Sequence, residues 1–337
     1  MPIGYAVVGL GRFAQGRVLP ALRKLENSRP AALVSGDPEK AGSLADRFEV
    51  PHVYTYDSFD RLADNDEIDA VYIALPNSLH WKYALDAAAM GKHVLVEKPM
   101  ANSPAECLSM IEACRRNGVK LMVGYRVHFD PGNQEAIRLI RDGAIGNPKF
   151  IQSAFSQCTA EPGHWRLDPV LSGGGSLVDI GIYCINACRY LLGSEPVSTV
   201  GMVSSTMEAF DEVEENAMAI FRFPGDVLAS IASSYGTDRV DYLTIDGSEG
   251  WLRLDHPFDY WTPRGLTLSR SGRTRVRELE TGDQVAAEIG YFSMCIEADV
   301  EPSPSGEEGL RDVIAMEAVY RSARDTCAVP VSYQAVA

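Results

Sequence analysis

Residues 1–125 alternate short apolar runs with helical patterns. "IGYAVVG", "PAALVSG", "HVYTY", "IDAVYIAL", "HVLVEK" and "KLMVGY" read as strands. "LHWKYALDAAAMG" (79–91) and "SPAECLSMIEACRRNG" (103–118) read as helices between them, the second opened by Ser103 before Pro104 and closed by Gly118. Strands joined by crossover helices form a parallel sheet, and six of them predict a doubly wound Rossmann-type sheet, an α/β fold suited to a dinucleotide. After Tyr125 the pattern becomes β-rich: "KFIQSAFSQ", "STVGMVSSTM", "NAMAIFRFPGDVLASIASSYG", "DYLTIDGSEGWLRLD" and "GLTLSRSG", with "FPGD" and "DGSEG" as hairpin turns. This predicts a C-terminal α+β domain on an open, mainly antiparallel sheet. Two late helical patterns, 283–299 and 306–325, flank the Pro-Ser-Gly loop "EPSPSGEE". The expected division is a nucleotide-binding domain over 1–125 and a substrate-binding and oligomerisation domain over 126–337.

Composition narrows the function. With 337 residues, 46% hydrophobic and 23% charged, the chain has the make-up of a two-domain globular protein. No apolar run reaches the roughly eighteen residues of a membrane span. "MPIGYAVVGLGRF" has no basic region before its apolar stretch, so no signal peptide is expected and the cytoplasm is the expected compartment. A formal charge of −15, with no offsetting basic cluster, argues against nucleic acid. Seven cysteines without a C-x-x-C pair, Cys184 and Cys188 among them, read as small core residues of a reducing compartment. "DEVEE" (211–215) reads as a solvated loop. "AMAIFRF" and "VLASIAS" carry apolar residues on both faces, which predicts a dimer or tetramer.

"VVGLGRFAQG" sets Gly9, Gly11 and Ala14 at G-x-G-x-x-A spacing between the first strand and a helix. The first glycine allows the turn, the second lets a pyrophosphate reach the backbone, and the small third residue lets helix and strand pack. Leu10, Arg12 and Phe13 complete this cofactor turn. Strand two ends in Ser35 and Gly36 where an NAD enzyme places an acid. Lys40 and Arg12 can surround a 2′-phosphate, so NADP is favoured over NAD. Asp37 is read as the cap of the helix starting at Pro38; turned inward, it would restore NAD.

"SGGGSLVDIGIYCINACRYLLG" (172–193) places Asp179, Tyr183, Asn186 and Tyr190 at helical spacing on an otherwise apolar helix. Such a stripe either lines a cavity or forms an internal hydrogen-bond network. His80, His128 and His164 are irregularly spaced and read as capping or packing residues, with no metal expected.

With "GLGRFAQ", "VSGDPEKA", "ALPNSLH", "VEKPM", "GYRVHFDP" and "HWRLDPVLSGGGSLVDIGIYCIN" in order, nearly the whole chain resembles the Gfo/Idh/MocA oxidoreductases, in particular the glucose-fructose oxidoreductase-like sugar dehydrogenases. The resemblance implies NAD(P)-dependent hydride transfer at a carbohydrate carbon. It makes Lys98 of "EKP" the lysine directed at substrate, Asp179 the helix acid and Tyr183 the acid/base group. It adds Leu75, Pro76, Asn77 and His80 of "LPNSLH", Glu97, Arg126, Trp165, Arg166 and Tyr291 as cofactor-lining positions. Tyrosine is a weak base at neutral pH unless a cation favours its phenolate, a part Lys98 can play. The expected activity is aldose to lactone or keto-sugar to alcohol. The alternatives are a glucose-fructose oxidoreductase that keeps its NADP, and a non-catalytic cofactor-sensing regulator, which would have no need of Lys98, Asp179 and Tyr183.

Overall fold

The computed structural model describes residues 1–159, 161 and 163–333. The chain forms two compact units: Met1–Arg126 with Asp283–Leu310, and Val127–Gly282 with the chain from Arg311 onward.

In the first unit, β1 (Ile3–Val8), β2 (Ser28–Val34), β3 (His52–Tyr54), β4 (Ala70–Ile73), β5 (His93–Glu97) and β6 (Leu121–Gly124) form one parallel sheet in the order β3-β2-β1-β4-β5-β6. Every residue of β1, β4 and β6 is buried, as expected of a parallel sheet whose crossover helices cover its faces. The crossovers carry α1 (Leu19–Lys24), α2 (Pro38–Phe48), α3 (Asn77–Ala89) and α4 (Pro104–Arg116). Asp37 caps α2 by accepting the Lys40 N–H at 3.0 Å, and Ser103 caps α4 by accepting the Glu106 N–H at 3.3 Å.

The second unit holds α5 (Pro131–Arg141), β7 (Pro148–Ser156), α6 (Pro169–Ser172), α7 (Ile182–Leu192), β8 (Ser198–Ser204), β9 (Asn216–Arg222), β10 (Leu228–Ser234), β11 (Val240–Gly247), β12 (Gly250–Asp255), β13 (Arg264–Arg270) and β14 (Arg273–Leu279). Helix α8 (Gln284–Glu297) belongs to the first unit; α9 (Gly306–Asp325) leads back into the second, where β15 (Val329–Pro330) closes the sheet. The order is β14-β13-β12-β11-β7-β10-β9-β8-β15, antiparallel except for β7 against β10. "FPGD" turns β9 into β10 and "DGSEG" turns β11 into β12.

Several elements depart from the expectations. The block 126–337 is not continuous in space, because α8 packs with the first unit. Ser293 Oγ lies 2.8 Å from Tyr5 Oη and 2.7 Å from Ser28 Oγ, and Asn27 donates to the Gly290 carbonyl at 2.8 Å. Helix α5 and strand β14 were not anticipated. Asp130 caps α5 through the Gly132 and Asn133 amides and pairs with Arg264 at 2.9 Å, both side chains fully buried. Strand β14 is almost wholly exposed, and Arg273, Arg275 and Arg277 make it a charged edge that discourages pairing with another chain. "DEVEE" is no solvated loop at its end. Glu214 and Glu215 are buried because Glu214 accepts the Gly175 and Leu177 amides at 2.8 Å each, and Glu215 accepts from Thr206 and Met207. The helical stretch Pro169–Leu192, 24 residues, holds an 18-residue window with a mean hydropathy of 1.2, long and apolar enough to cross a bilayer, but 72% of that window is buried in the protein, as in a core helix.

Candidate active site

The nucleotide turn follows β1. Gly9 has φ of 91°, in the left-handed region, and a Cβ there would come 2.5 Å from the Ala74 carbonyl oxygen, so only glycine fits. A Cβ at Gly11 would meet nothing within 4 Å, leaving the backbone open to approach as a pyrophosphate requires. Ala14 is buried and starts a π-turn, Ala14–Val18. Leu10 is buried, Phe13 half-buried and Arg12 exposed. At the end of β2, the Ser35 hydroxyl accepts the Asp37 N–H at 3.1 Å, and Gly36 lies against the Tyr56 ring. Asp37 is a helix cap, and its second oxygen is 3.8 Å from Lys40 Nζ. These residues fit a dinucleotide.

Past β4, Leu75 and Asn77 are buried, Pro76 precedes α3, and His80 is 0% exposed. His80 lies with one ring nitrogen 2.9 Å from the Leu75 carbonyl and the other 2.9 Å from the Pro99 carbonyl. It therefore braces the loops after β4 and β5, the packing part read for the histidines, and presents no nitrogen to solvent. Burial pushes its pKa down to about 4. The Lys98–Pro99 peptide is cis. Glu97 accepts from Tyr72 Oη at 2.7 Å, and Arg126 is buried and donates to Gln284. Tyr291 accepts the Ser303 N–H at 3.1 Å, so the structure gives its hydroxyl a loop to hold.

In the second unit the helix bearing Asp179 opens with a π-turn, Leu177–Gly181, and continues as α7. Such wide turns recur at functional sites because they re-aim a side chain. Glu214 holds the N-terminal amides, and Gly181 brings the helix against Ser233 of β10. Arg166 Nε donates to Asp179 Oδ2 at 2.8 Å, and its guanidinium lies 4.5 Å over the Trp165 ring. Burial opposes the Arg166 charge, and the Asp179 carboxylate, together with Tyr235 and Tyr183, more than offsets it. Tyr183, 5% exposed, has Phe155 and Phe258 at ring distances of 5.9 Å. Tyr235, which the sequence did not single out, is pushed well above its ordinary pKa by burial and then by Asp179. The stripe splits in two. Asn186 is fully buried between His128 Nε2 (2.6 Å) and Asp312 Oδ2 (2.7 Å), and Tyr190 stands edge-on to His128. That half is an internal network, whereas Asp179 and Tyr183 sit with a cation and aromatic rings.

Among the described residues, Asp241, His256 and Asp259 are of metal-ligand type and lie together, but Arg239 already stands 3.1 Å from Asp259 and 3.6 Å from Asp241. Glu288, Tyr72 and Gln284, beside Glu97 and Arg126, had no motif to reveal them.

Residues 3–125 match the oxidoreductase family with an NAD-binding Rossmann fold, and residues 133–253 match the GFO/IDH/MocA C-terminal domain. The chain belongs to the Gfo/Idh/MocA oxidoreductase family. It is 37% identical to a D-xylose 1-dehydrogenase [NADP(+)] of Haloarcula marismortui over 95% of this chain and 91% of that protein. The crystal structure of an aldose-aldose oxidoreductase from Caulobacter crescentus, complexed with glycerol, superposes with a TM-score of 0.95 at 39% identity, covering 98% and 100% of the two chains. KijD10, a 3-ketoreductase from Actinomadura kijaniata in complex with NADP, gives 0.88 at 25% identity, covering 96% and 98%.

Proposed function

We propose that this family member is an NADP-dependent sugar oxidoreductase converting an aldose to its lactone or a keto-sugar to its alcohol. The observation that carries this reading is the helix face where Asp179, held by Arg166, precedes Tyr183 on a buried aromatic floor. The relatives named above, a xylose dehydrogenase using NADP and an aldose-aldose oxidoreductase, support the substrate class. Ser35 in place of an acid, with Lys40 and Arg12 nearby in sequence, supports NADP.

When bound, the nicotinamide supplies the hydride acceptor. Tyr183 Oη takes the proton from the sugar hydroxyl, and the Lys98 ammonium favours the phenolate that can do so. Asp179 accepts hydrogen bonds from a second hydroxyl, and Arg166 keeps that carboxylate charged and oriented. Gly9–Phe13, Ser35, Gly36, Lys40, Leu75–Asn77, His80, Glu97, Lys98, Arg126, Trp165, Arg166 and Tyr291 are the cofactor positions of this reading, with Trp165 also offering a face to the sugar ring.

Single-turnover hydride transfer in Lys98→Met, Tyr183→Phe and the double variant tests it. Each single loss is expected near 10²-fold or more, with the double variant little worse because the two act as one unit. Losses that multiply, or full turnover in Lys98→Met, overturn the pair. The resemblance to an aldose-aldose oxidoreductase favours a second reading, in which one sugar reduces another and NADP stays bound. Reduced-nicotinamide absorbance appearing on aldose addition without added cofactor selects it.

The same reading includes a homo-oligomer. On the open side of the second sheet, Met218 (64% exposed) and Ile220 (53%) lie in register with Met202 and Val200, and Phe150 with Leu228. A second copy covering these rows would remove them from water. The seven free cysteines support the cytoplasm.

A further inference from the structure

Where β5 ends in Glu97, one residue before Lys98, two carboxyl groups and one phenol meet. Tyr72 of β4 is fully buried, and its hydroxyl is 2.7 Å from Glu97 Oε1 and 3.5 Å from Glu288 Oε1 on α8. A Cβ at Gly124 would come 3.1 Å from the Glu97 oxygen and 3.4 Å from the Glu288 oxygen, so both acids reach into the cell that this glycine leaves open. Glu288 is 1% exposed, and its Oε2 has no hydrogen-bond partner. A phenol owns one hydrogen, and the 2.7 Å separation commits it to Glu97. At 3.5 Å the same hydrogen could point to Glu288 only by leaving Glu97, so with it on Glu97 the Tyr72–Glu288 contact is favourable when Glu288 carries a proton of its own.

The charges around the cell agree. Arg126 and Lys98 both favour an ionised Glu97, and Arg126 also faces Glu288. Gln284 lies one turn before Glu288 on the same helix and accepts from Arg126, and Tyr5 of β1 feels the Glu288 carboxyl. Burial and then the Glu97 charge push Glu288 well above the carboxylate range; burial leaves Glu97 raised too, but less, because Tyr72, Lys98 and Arg126 oppose it.

We propose that Glu288 is a neutral carboxylic acid in the working enzyme, donating to Tyr72, which donates to an ionised Glu97, and that this chain makes Glu288 and Tyr72 positioning residues for Lys98. The positioning role rests on the assignment of Lys98 to the chemistry, while the place of the proton does not. With one negative charge fixed on Glu97, the neighbouring Lys98 ammonium has an opposite charge beside it at the end of β5. A second charge in the same low-dielectric cell would be costly, so the pair holds one proton.

The test uses the full chain. Infrared difference spectroscopy at pH 7 should show the carbonyl stretch of a neutral carboxylic acid that is lost in Glu288→Gln and shifted in Tyr72→Phe. No such band, or one unchanged in Glu288→Gln, overturns the proposal whatever Lys98 does. For the positioning role, Glu97→Gln and Tyr72→Phe should each lower kcat by roughly tenfold while leaving the KM for the sugar nearly unchanged. Glu288→Gln, still a neutral donor to Tyr72, should lose roughly tenfold less turnover than Glu97→Gln. Equal losses in those two variants overturn it. A neutral-acid band together with undamaged turnover in Lys98→Met would leave the proton in place and refute the assignment of Lys98 instead.

Discussion

The two sheets of this protein solve the placement of chemistry in opposite ways. The parallel sheet is buried on both faces along β1, β4 and β6, and the groups proposed to meet cofactor and substrate follow the strand ends: Gly9 after β1, Ser35 after β2, Asn77 after β4 and Lys98 after β5. The mainly antiparallel sheet has one buried face and one exposed face. Alternation along β9 buries Ala217, Ala219 and Phe221 and exposes Met218 and Ile220. There the helix bearing Asp179 and Tyr183 lies across the buried face, and the other face stays open to solvent. The first sheet is a mount for loops, and the second is a floor with a usable underside.

The sharpest way to break this comparison is to put the same charge in each sheet. Val7→Asp, in the middle of β1 with no exposure, should cost more than about 4 kcal/mol and leave the chain unfolded by circular dichroism. Ile220→Asp on the open face should stay folded and instead abolish self-association in sedimentation. A monomeric wild-type protein, or an unfolded Ile220→Asp, would refute the free underside.

The second test loads the strand ends. His80 braces the loops after β4 and β5 with a pKa lowered from 6.5 to about 4, so the unfolded chain binds its proton more readily than the folded one. That contribution is fully present above pH 6.5 and is lost as pH falls toward 4, a change of about 3 kcal/mol. Urea unfolding across that window should show the slope, and His80→Gln should remove it.

Next comes the helix on the floor. Asp179→Asn keeps the shape but gives up the charge that Arg166 holds, so kcat should fall by about 10²-fold with NADP affinity unchanged. An equal loss of NADP affinity would place Asp179 with the cofactor rather than the sugar. The smallest effect is expected at the exposed end of β2. Lys40→Ala should raise the KM for NADP by less than about tenfold and leave that for NAD alone, because Lys40 is solvated and paired with Asp37.

The sequence was most legible where local chemistry decides structure. Strand–turn–helix alternation announced the first sheet, Asp37 before Pro38 announced a cap, and "FPGD" and "DGSEG" announced hairpins. It was silent where distant parts of the chain meet. Glu214 looked like one of a run of solvated acids, yet it is buried because two helix amides 37 and 39 residues away need its oxygens. Glu288 and Tyr72 lie 216 residues apart and belong to no motif. The polar stripe on α7 was visible, but its division into an internal half and an aromatic-walled half depends on His128 and Asp312, which no spacing rule connects to it.

The return of the chain to its first unit has a consequence for synthesis. A ribosome emits Met1–Arg126 early, but Ser293 and Glu288, which complete the hydrogen bonds of Tyr5 and the cell around Tyr72 and Glu97, emerge only after the whole of Val127–Gly282. The nascent nucleotide unit must therefore wait, with the face that α8 will cover exposed, through the making of some 150 further residues, at a few to about twenty residues per second. The earliest part of the protein to be translated is among the last to be finished, and a chain cut at Gly282 would carry the full dinucleotide turn on a unit that cannot close.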